Sequence, residues 1–324
     1  MLVAKPARSG FRVIDSYSQI VRLGEGLAST GRLSDTAVGR TIDALKTCVD
    51  KMHRRRVTRV RCVATEACRM AVNCGEFVQR VRDETGLDFD IIPADEESHL
   101  SVSGCESLLL AGYDKAIVFD IGGGSTEVSL VSVRDRRVHG VIGSVSVPCG
   151  VVTLSERFEE PAANGGGPRN GGKAGSEVLS DFDYQAMVEV VREKFTSFEA
   201  EHRISDVVAG SKVQIIATSG TATTLAGLHL GLKRYDRKRV DGAWVDRTSL
   251  FAMVRRLRSM TLEQRASQPC VGWNRADLIV AGCAILEAIC GHWPFERIQV
   301  ADRGLREGVL LQLMEREDRV DGAA

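Results

Sequence analysis

Residues 117–128 read Ile-Val-Phe-Asp-Ile-Gly-Gly-Gly-Ser-Thr-Glu-Val. An apolar strand ends on an acid, Asp120. Gly122, Gly123 and Gly124 follow, then Ser125, Thr126 and Glu127. Glycine reaches dihedrals closed to other residues and has no Cβ to block a ligand. Successive N–H groups in such a turn can converge on phosphate oxygens, and the hydroxyls add donors. A tight β-hairpin with a glycine bulge is the plain alternative. The acid and the hydroxyl pair around the glycines favour a phosphate cradle. A second stretch, Ala-Thr-Ser-Gly-Thr over 217–221, follows the apolar run Val213 to Ile216 and opens a helix. Free N–H groups and the positive dipole end there suit an anion, although an ordinary N-cap reads the same way.

Other candidates are weaker by themselves. Pro93-Ala-Asp-Glu-Glu-Ser-His-Leu100 sets three acids at a helix start. Acids there complement the helix dipole, so Glu97 as a catalytic base competes with a simple electrostatic role. Arg69, within Ala64–Asn73, reads as a surface arginine. The run His53, Arg54, Arg55, Arg56, Arg59, Arg61 and the run Lys-Arg-Tyr-Asp-Arg-Lys-Arg over 233–239 read as solvated faces, or as the lining of a polyanion path. The six histidines show no metal-ligand spacing. Cys62, Cys68 and Cys74 fall in strand, helix and loop and read as core or incidental residues.

The elements that must position these residues alternate strand and helix, which predicts an α/β chain with a largely parallel sheet. Strands are expected at 2–5, after the turn Ser9-Gly10, and over 57–64. Ser34 caps a helix with Val38, Ile42, Leu45, Val49 and Met52 on one face, and Gly86 stops another. A strand ends at Pro93, and a helix starts near Asp95. The segment 275–293 reads as a buried helix. Six glycines between Gly165 and Gly175 mark 159–177 as a flexible loop. At 324 residues two domains are expected: 1–115, completed by a C-terminal helix 304–318, and 116–303 with the loop 120–127. Formal net charge is zero, so no bulk field announces a polyanion partner. Nine cysteines without a C-x-x-C pair fit a reducing compartment. There is no apolar run of about 20 residues and no apolar signal core at the start, and the expectation is a cytoplasmic chain with no membrane partner.

Six stretches occur in a telling order: Val-Arg-Leu-Gly-Glu-Gly from Val21, Val-Ala-Thr-Glu-Ala-Cys-Arg from Val63, Ile-Ile-Pro-Ala-Asp-Glu-Glu-Ser from Ile91, the glycine loop, Ala217–Gly227, and Val-Ala-Asp-Arg-Gly from Val300. Together they resemble the exopolyphosphatase/guanosine pentaphosphate phosphatase (Ppx/GppA) family, from about Phe11 to Leu311. The resemblance implies a two-domain acetate kinase/actin-like (ribonuclease H-like) α/β fold with a cleft between the domains. It implies release of the terminal phosphate of inorganic polyphosphate, or of the 5′ γ-phosphate of pppGpp in the stringent response, usually with Mg²⁺. Glu97 matches the family's catalytic glutamate, with Ser98 in place of the usual alanine. Asp120 matches the acid linked to the metal, and Glu127 the acid that helps hold metal or water. Gly122, Gly123, Gly124 and Ser125, with Thr126, match the phosphate cradle. Arg69 matches an arginine that reaches the phosphate chain, and Gly220 and Thr221 match another turn facing the cleft. A homodimer is possible by the same resemblance, and no nucleic-acid polymer is expected.

The family pattern also includes an initial strand with a D-x-G-[ST]-N loop, absent from Met-Leu-Val-Ala-Lys-Pro-Ala-Arg-Ser-Gly. Either the start codon is set too far downstream, or the protein lacks its first strand and first phosphate loop; a version extended upstream is expected to be the more active one. The long members' helical C-terminal extension is absent too, as in the short two-domain form. A non-catalytic polyphosphate or alarmone binder is therefore the alternative. A kinase of the same fold would need an acceptor site and normally an aspartate base.

Overall fold

The computed structural model describes residues 1–7, 10–159 and 178–321. It divides into two compact units, Met1–Cys105 with Arg303–Ala324, and Glu106–Asp302.

In the first unit, β1 (Leu2–Pro6) and β2 (Phe11–Ser16) form an antiparallel ribbon. A single turn, α1 (Leu27–Thr30), precedes α2 (Asp35–Arg55). Ser34 caps α2 as expected, its side chain accepting from the Ala37 N–H. Ala37, Val38, Thr41, Ile42, Ala44 and Cys48 are its buried stripe. Leu27, Leu33, Phe77 and Val81 complete that core. β3 (Cys62–Ala64) runs parallel to β4 (Phe89–Ile91), with α3 (Glu66–Met70) and α4 (Cys74–Thr85) between them. The strand expected over 57–64 shrinks to three residues because β4 offers partners only to Cys62, Val63 and Ala64. Gly86 ends α4 in the left-handed region, its N–H bonded to the Arg82 carbonyl.

α5 (Ala94–Cys105) follows Pro93. It packs against the C-terminal helix, Leu305–Asp321, at very close range. A Cβ on Gly104 would stand 2.0 Å from the Gly304 carbonyl oxygen, and one on Gly308 2.0 Å from that of Leu100. Two glycines therefore set the seating of α5, the helix that bears Glu97.

The second unit is built on a six-stranded sheet in the order β7-β6-β5-β8-β10-β9. Its strands are β5 (Lys115–Ile121), β6 (Thr126–Arg134), β7 (Arg137–Val147), β8 (Val213–Thr218), β9 (Trp244–Asp246) and β10 (Arg297–Ala301). β5, β8 and β10 run parallel; β6, β7 and β9 run against their neighbours. The sheet is mixed, not largely parallel, because the glycine turn joins β5 to β6 as a hairpin, and such a short connection forces antiparallel pairing.

The helices of this unit are α6 (Val151–Glu159), α7 (Asp181–His202), α8 (Ile204–Gly210), α9 (Ser219–His229), α10 (Arg237–Val240), α11 (Arg247–Arg258), α12 (Leu262–Ala266) and α13 (Ile279–His292). The C-terminal helix is α14. α13 is apolar nearly all round and buried, as its sequence predicts, packed on α7, α6 and α11. Of the loop expected over 159–177, Glu159 belongs to α6 and the rest lies outside the described residues. Among the described residues, no helix is long and apolar enough to cross a membrane.

Candidate active site

In the first unit one guanidinium organises the acids. Glu97 sits in the first turn of α5 and is only 8% exposed. Arg69 Nη1 donates to Glu97 Oε2 at 2.9 Å and to the Ile92 carbonyl at 2.9 Å. Its Nε and Nη2 donate to Glu66 Oε2 at 3.1 and 2.8 Å. A buried carboxylate needs such a partner, and the planar fork holds it in one direction. Burial by itself would lower the Arg69 pKa, but the hydrogen bonds to Glu97 and Glu66 outweigh it and hold the pKa above its ordinary value. The neighbouring acid is sorted the same way: Arg61 binds Glu96 at 2.6 Å and Asp90 at 3.2 Å. Arg61 and Arg55, which pairs with Asp15 at 2.8 Å, are thus committed within the fold and are not a freely solvated face.

In the second unit the glycine turn is held from behind. The Gly122 N–H bonds to the Ser125 carbonyl at 3.0 Å and closes the turn. The first N–H groups of α6 then take the turn's own carbonyls: Val151 donates to Gly122 and Val152 to Gly123, both at 2.9 Å. Among the described residues no protein acceptor meets the N–H groups of Gly123, Gly124 and Ser125. Three consecutive donors are therefore left over, with their peptides oriented by the bonds that the carbonyls make. Consecutive spare backbone donors in a turn are what an anion nest requires. Neither Gly122 nor Gly123 has a positive φ. The dihedral freedom expected of them is not what the turn uses. The position where close approach requires glycine is Gly150, behind the turn: a Cβ there would lie 2.3 Å from Gly123 C and 2.6 Å from Gly124 N.

The two carboxylates lie abreast. Asp120 of β5 faces Glu127 of β6 directly in register, and Ser146 and Thr218 continue the row on β7 and β8. Cross-strand partners stand about 5 Å apart at Cβ and share one face of the sheet. The Ser146 hydroxyl donates to Glu127 Oε1 at 2.7 Å, and the Ser219 hydroxyl donates to Asp120 Oδ1. Like charges this close repel, which a divalent cation would relieve. No group of three or more His, Cys, Asp or Glu suited to a metal occurs among the described residues. Two carboxylates beside three spare amide donors would suit Mg²⁺, which keeps several waters, better than a cation caged wholly by protein.

The match to a family model now has its residues in place. Residues 2–165 and 176–317 match the Ppx/GppA phosphatase family. This chain belongs to the Ppx/GppA phosphatase family. The family is the one that the sequence motifs suggested. Exopolyphosphatase 2 of Mycobacterium tuberculosis is 28% identical, over 95% of this chain and 91% of that protein. The guanosine-5'-triphosphate,3'-diphosphate pyrophosphatase of Photobacterium profundum is 32% identical over 49% of this chain and 31% of its own. A crystal structure of the Aquifex aeolicus Ppx/GppA family member matches with a TM-score of 0.74 and 26% identity, covering 98% of this chain and 94% of that one.

Within this Ppx/GppA chain not every expected site residue joins a polar group. Thr126 is fully buried and donates its hydroxyl to the Cys149 carbonyl at 2.7 Å. Thr221 is buried with its side chain against α13, where a Cβ on Gly282 would meet its Oγ1 at 2.2 Å. Gly220 does open α9, and Arg275 lies beside it, donating to the Thr224 hydroxyl at 2.9 Å. Reading the sequence missed Glu66, Ser146, Gly150, Ser219 as the partner of Asp120, and Arg275. Only Glu66 had a local signal, three residues before Arg69 on one helix.

Proposed function

We propose that this chain is a phosphoanhydride hydrolase acting on the terminal phosphate of inorganic polyphosphate, of pppGpp, or of both. The observation that supports this best is the row of three unpartnered N–H groups at Gly123, Gly124 and Ser125, beside Asp120 and Glu127. Phosphoryl transfer asks for positioning and for neutralisation of the charge on the equatorial oxygens more than for covalent chemistry. The amides would hold the terminal phosphate without reorganising. Asp120 and Glu127 would hold Mg²⁺, which when bound supplies positive charge to the phosphate oxygens. Glu97 would orient a water and take its proton, and Arg69 would keep the Glu97 carboxylate aimed. The names of the curated relatives support the choice of substrates. Nine free thiols support a reducing, cytoplasmic setting.

The test is release of phosphate from polyphosphate and from pppGpp, side by side, with and without Mg²⁺. The expected result is Mg²⁺-dependent release from at least one substrate, lowered about 10²–10⁴-fold by Glu97→Gln with substrate binding retained. Full turnover by Glu97→Gln would remove Glu97 from the chemistry. Phosphate transfer that requires a nucleotide and an acceptor would instead make the chain a kinase.

A further inference from the structure

One large aromatic side chain of the second unit has no cover. Trp273 is 66% exposed. The chain's other two tryptophans have partners: Trp293 is buried, and the Trp244 ring lies under the Arg297 guanidinium at 4.3 Å. The hydrolase reading gives Trp273 no role. The segment that carries it is held in place. Cys270 and Gly272 take the left-handed region, with φ of 67° and 68°. The Val271 N–H bonds to the Gln268 carbonyl at 3.3 Å, and the Arg275 and Ala276 N–H groups both bond to the Gly272 carbonyl, at 3.2 and 3.1 Å. Trp273 therefore sits on consecutive tight turns and not on a free loop.

Both sides of Trp273 are pinned to α9. A Cβ on Gly227 would stand 2.9 Å from Cys270 Sγ, and one on Gly220 would stand 3.8 Å from Arg275 Cζ. Arg275 Nη1 also donates to Thr224 Oγ1 at 2.9 Å. At about 1.5 Å per residue, Gly220 and Gly227 are about 10 Å apart along the helix. The segment thus runs back along the first turns of α9, toward the end where the Ser219 hydroxyl binds Asp120. Two residues of backbone span at most about 7 Å, which keeps Trp273 close to Arg275 and so to that end. Arg275 forms no ion pair among the described residues and has N–H groups left over. An exposed indole face beside an arginine with spare donors suits a ligand that joins a flat ring to phosphates. Of the two substrates in the hydrolase reading, only pppGpp carries a base. Polyphosphate offers nothing to stack.

We propose that Trp273 is the platform on which the guanine of pppGpp stacks, and so a residue that favours a nucleotide over polyphosphate. The proposal rests on the hydrolase reading for the place of the 5′ phosphates. Stacking uses the face that every base has, so Trp273 separates nucleotide from polyphosphate and not guanine from adenine. It involves no covalent step.

The test compares Trp273→Ala and Trp273→Phe with the parent on pppGpp and on tripolyphosphate, which presents a triphosphate without the nucleoside. The side chain is exposed, so the fold is retained. In Trp273→Ala the KM for pppGpp should rise about tenfold or more, while kcat and both constants for tripolyphosphate stay within about twofold. Trp273→Phe keeps an aromatic face and should hold the pppGpp KM within about threefold of the parent. An unchanged pppGpp KM in Trp273→Ala, an equal rise for tripolyphosphate, or a phenylalanine variant as weak as the alanine one overturns the proposal. Tryptophan fluorescence reads binding apart from turnover, with Trp273→Ala as the control for light that the nucleotide absorbs. In the parent pppGpp should quench the emission saturably, and tripolyphosphate should not. If the parent hydrolyses nothing, the hydrolase reading falls, and a saturable quench by pppGpp that Trp273→Ala loses still upholds the stacking site. No quench overturns it, as does self-association of the parent that Trp273→Ala abolishes, since a second copy would then cover the indole.

Discussion

Gly150→Ala puts one methyl group behind the glycine turn. The added Cβ would stand 2.3 Å from Gly123 C, 2.4 Å from Gly123 O and 2.6 Å from Gly124 N. All three are backbone atoms, so no side chain can swing away. Ordinary contact begins at 3.4 Å, and the turn must retreat by roughly 1 Å to reach it. Overpacking of this kind costs about 1–3 kcal/mol of stability. The shift also pulls on the bonds from Val151 and Val152 that orient the Gly122 and Gly123 carbonyls. A 1 Å misplacement at a reacting centre costs about 10²-fold in rate, or about 2.7 kcal/mol of barrier. The control is Gly123→Ala, whose Cβ would lie 3.7 Å from Val152 Cγ2 with no backbone atom in the way. Its effect on stability should be under about 1 kcal/mol. Steady-state phosphate release at saturating Mg²⁺, together with denaturant unfolding of both variants, measures the two effects. If Gly150→Ala keeps turnover within about threefold of the parent, the turn is not set by its contact with Gly150, and the account of a preorganised nest is wrong.

Arg69→Lys keeps the charge but loses the fork that spans Glu66, Glu97 and the Ile92 carbonyl. It should lower kcat about tenfold or more while the substrate still binds, and an unchanged kcat would show that Glu97 needs no such guide. Ser219 has a φ of 74°, a conformation that costs a side chain about 1–2 kcal/mol. Ser219→Gly and Ser219→Ala both lose the bond to Asp120, but only glycine relieves that cost. The alanine variant should therefore be less stable by about 1 kcal/mol in urea unfolding, and equal stabilities would refute the strain. A chelator should abolish phosphate release and Mg²⁺ restore it, with Asp120→Asn raising the Mg²⁺ needed for half activity about tenfold or more. Activity that survives the chelator would exclude the carboxylate pair as a metal holder.

The local decisions were legible in the sequence, because each rests on a few neighbouring residues. Ser34 starts α2 through its own side chain, Gly86 stops α4 through a left-handed φ, and the apolar run Val213 to Ile216 before Ser219-Gly220 marks a strand turning into a helix. The apolar run into Asp120, with three glycines behind it, marks a strand and a turn whichever fold surrounds them. Folding decided what meets across the chain. Arg69 reaches Glu97 from 28 residues away, and Gly150 touches a turn that no local pattern links to it. The sheet then sorts the loop's side chains. The hairpin closes between Gly122 and Ser125, so Asp120 pairs with Glu127 and Ile121 with Thr126. Side chains alternate along a strand. Asp120 and Glu127 therefore share one face with Ser146 and Thr218, while Thr126 points to the other and gives its hydroxyl to Cys149. Composition supplies a threonine and a glutamate side by side; the register of the pairing decides that the glutamate joins the acid row and the threonine joins the core.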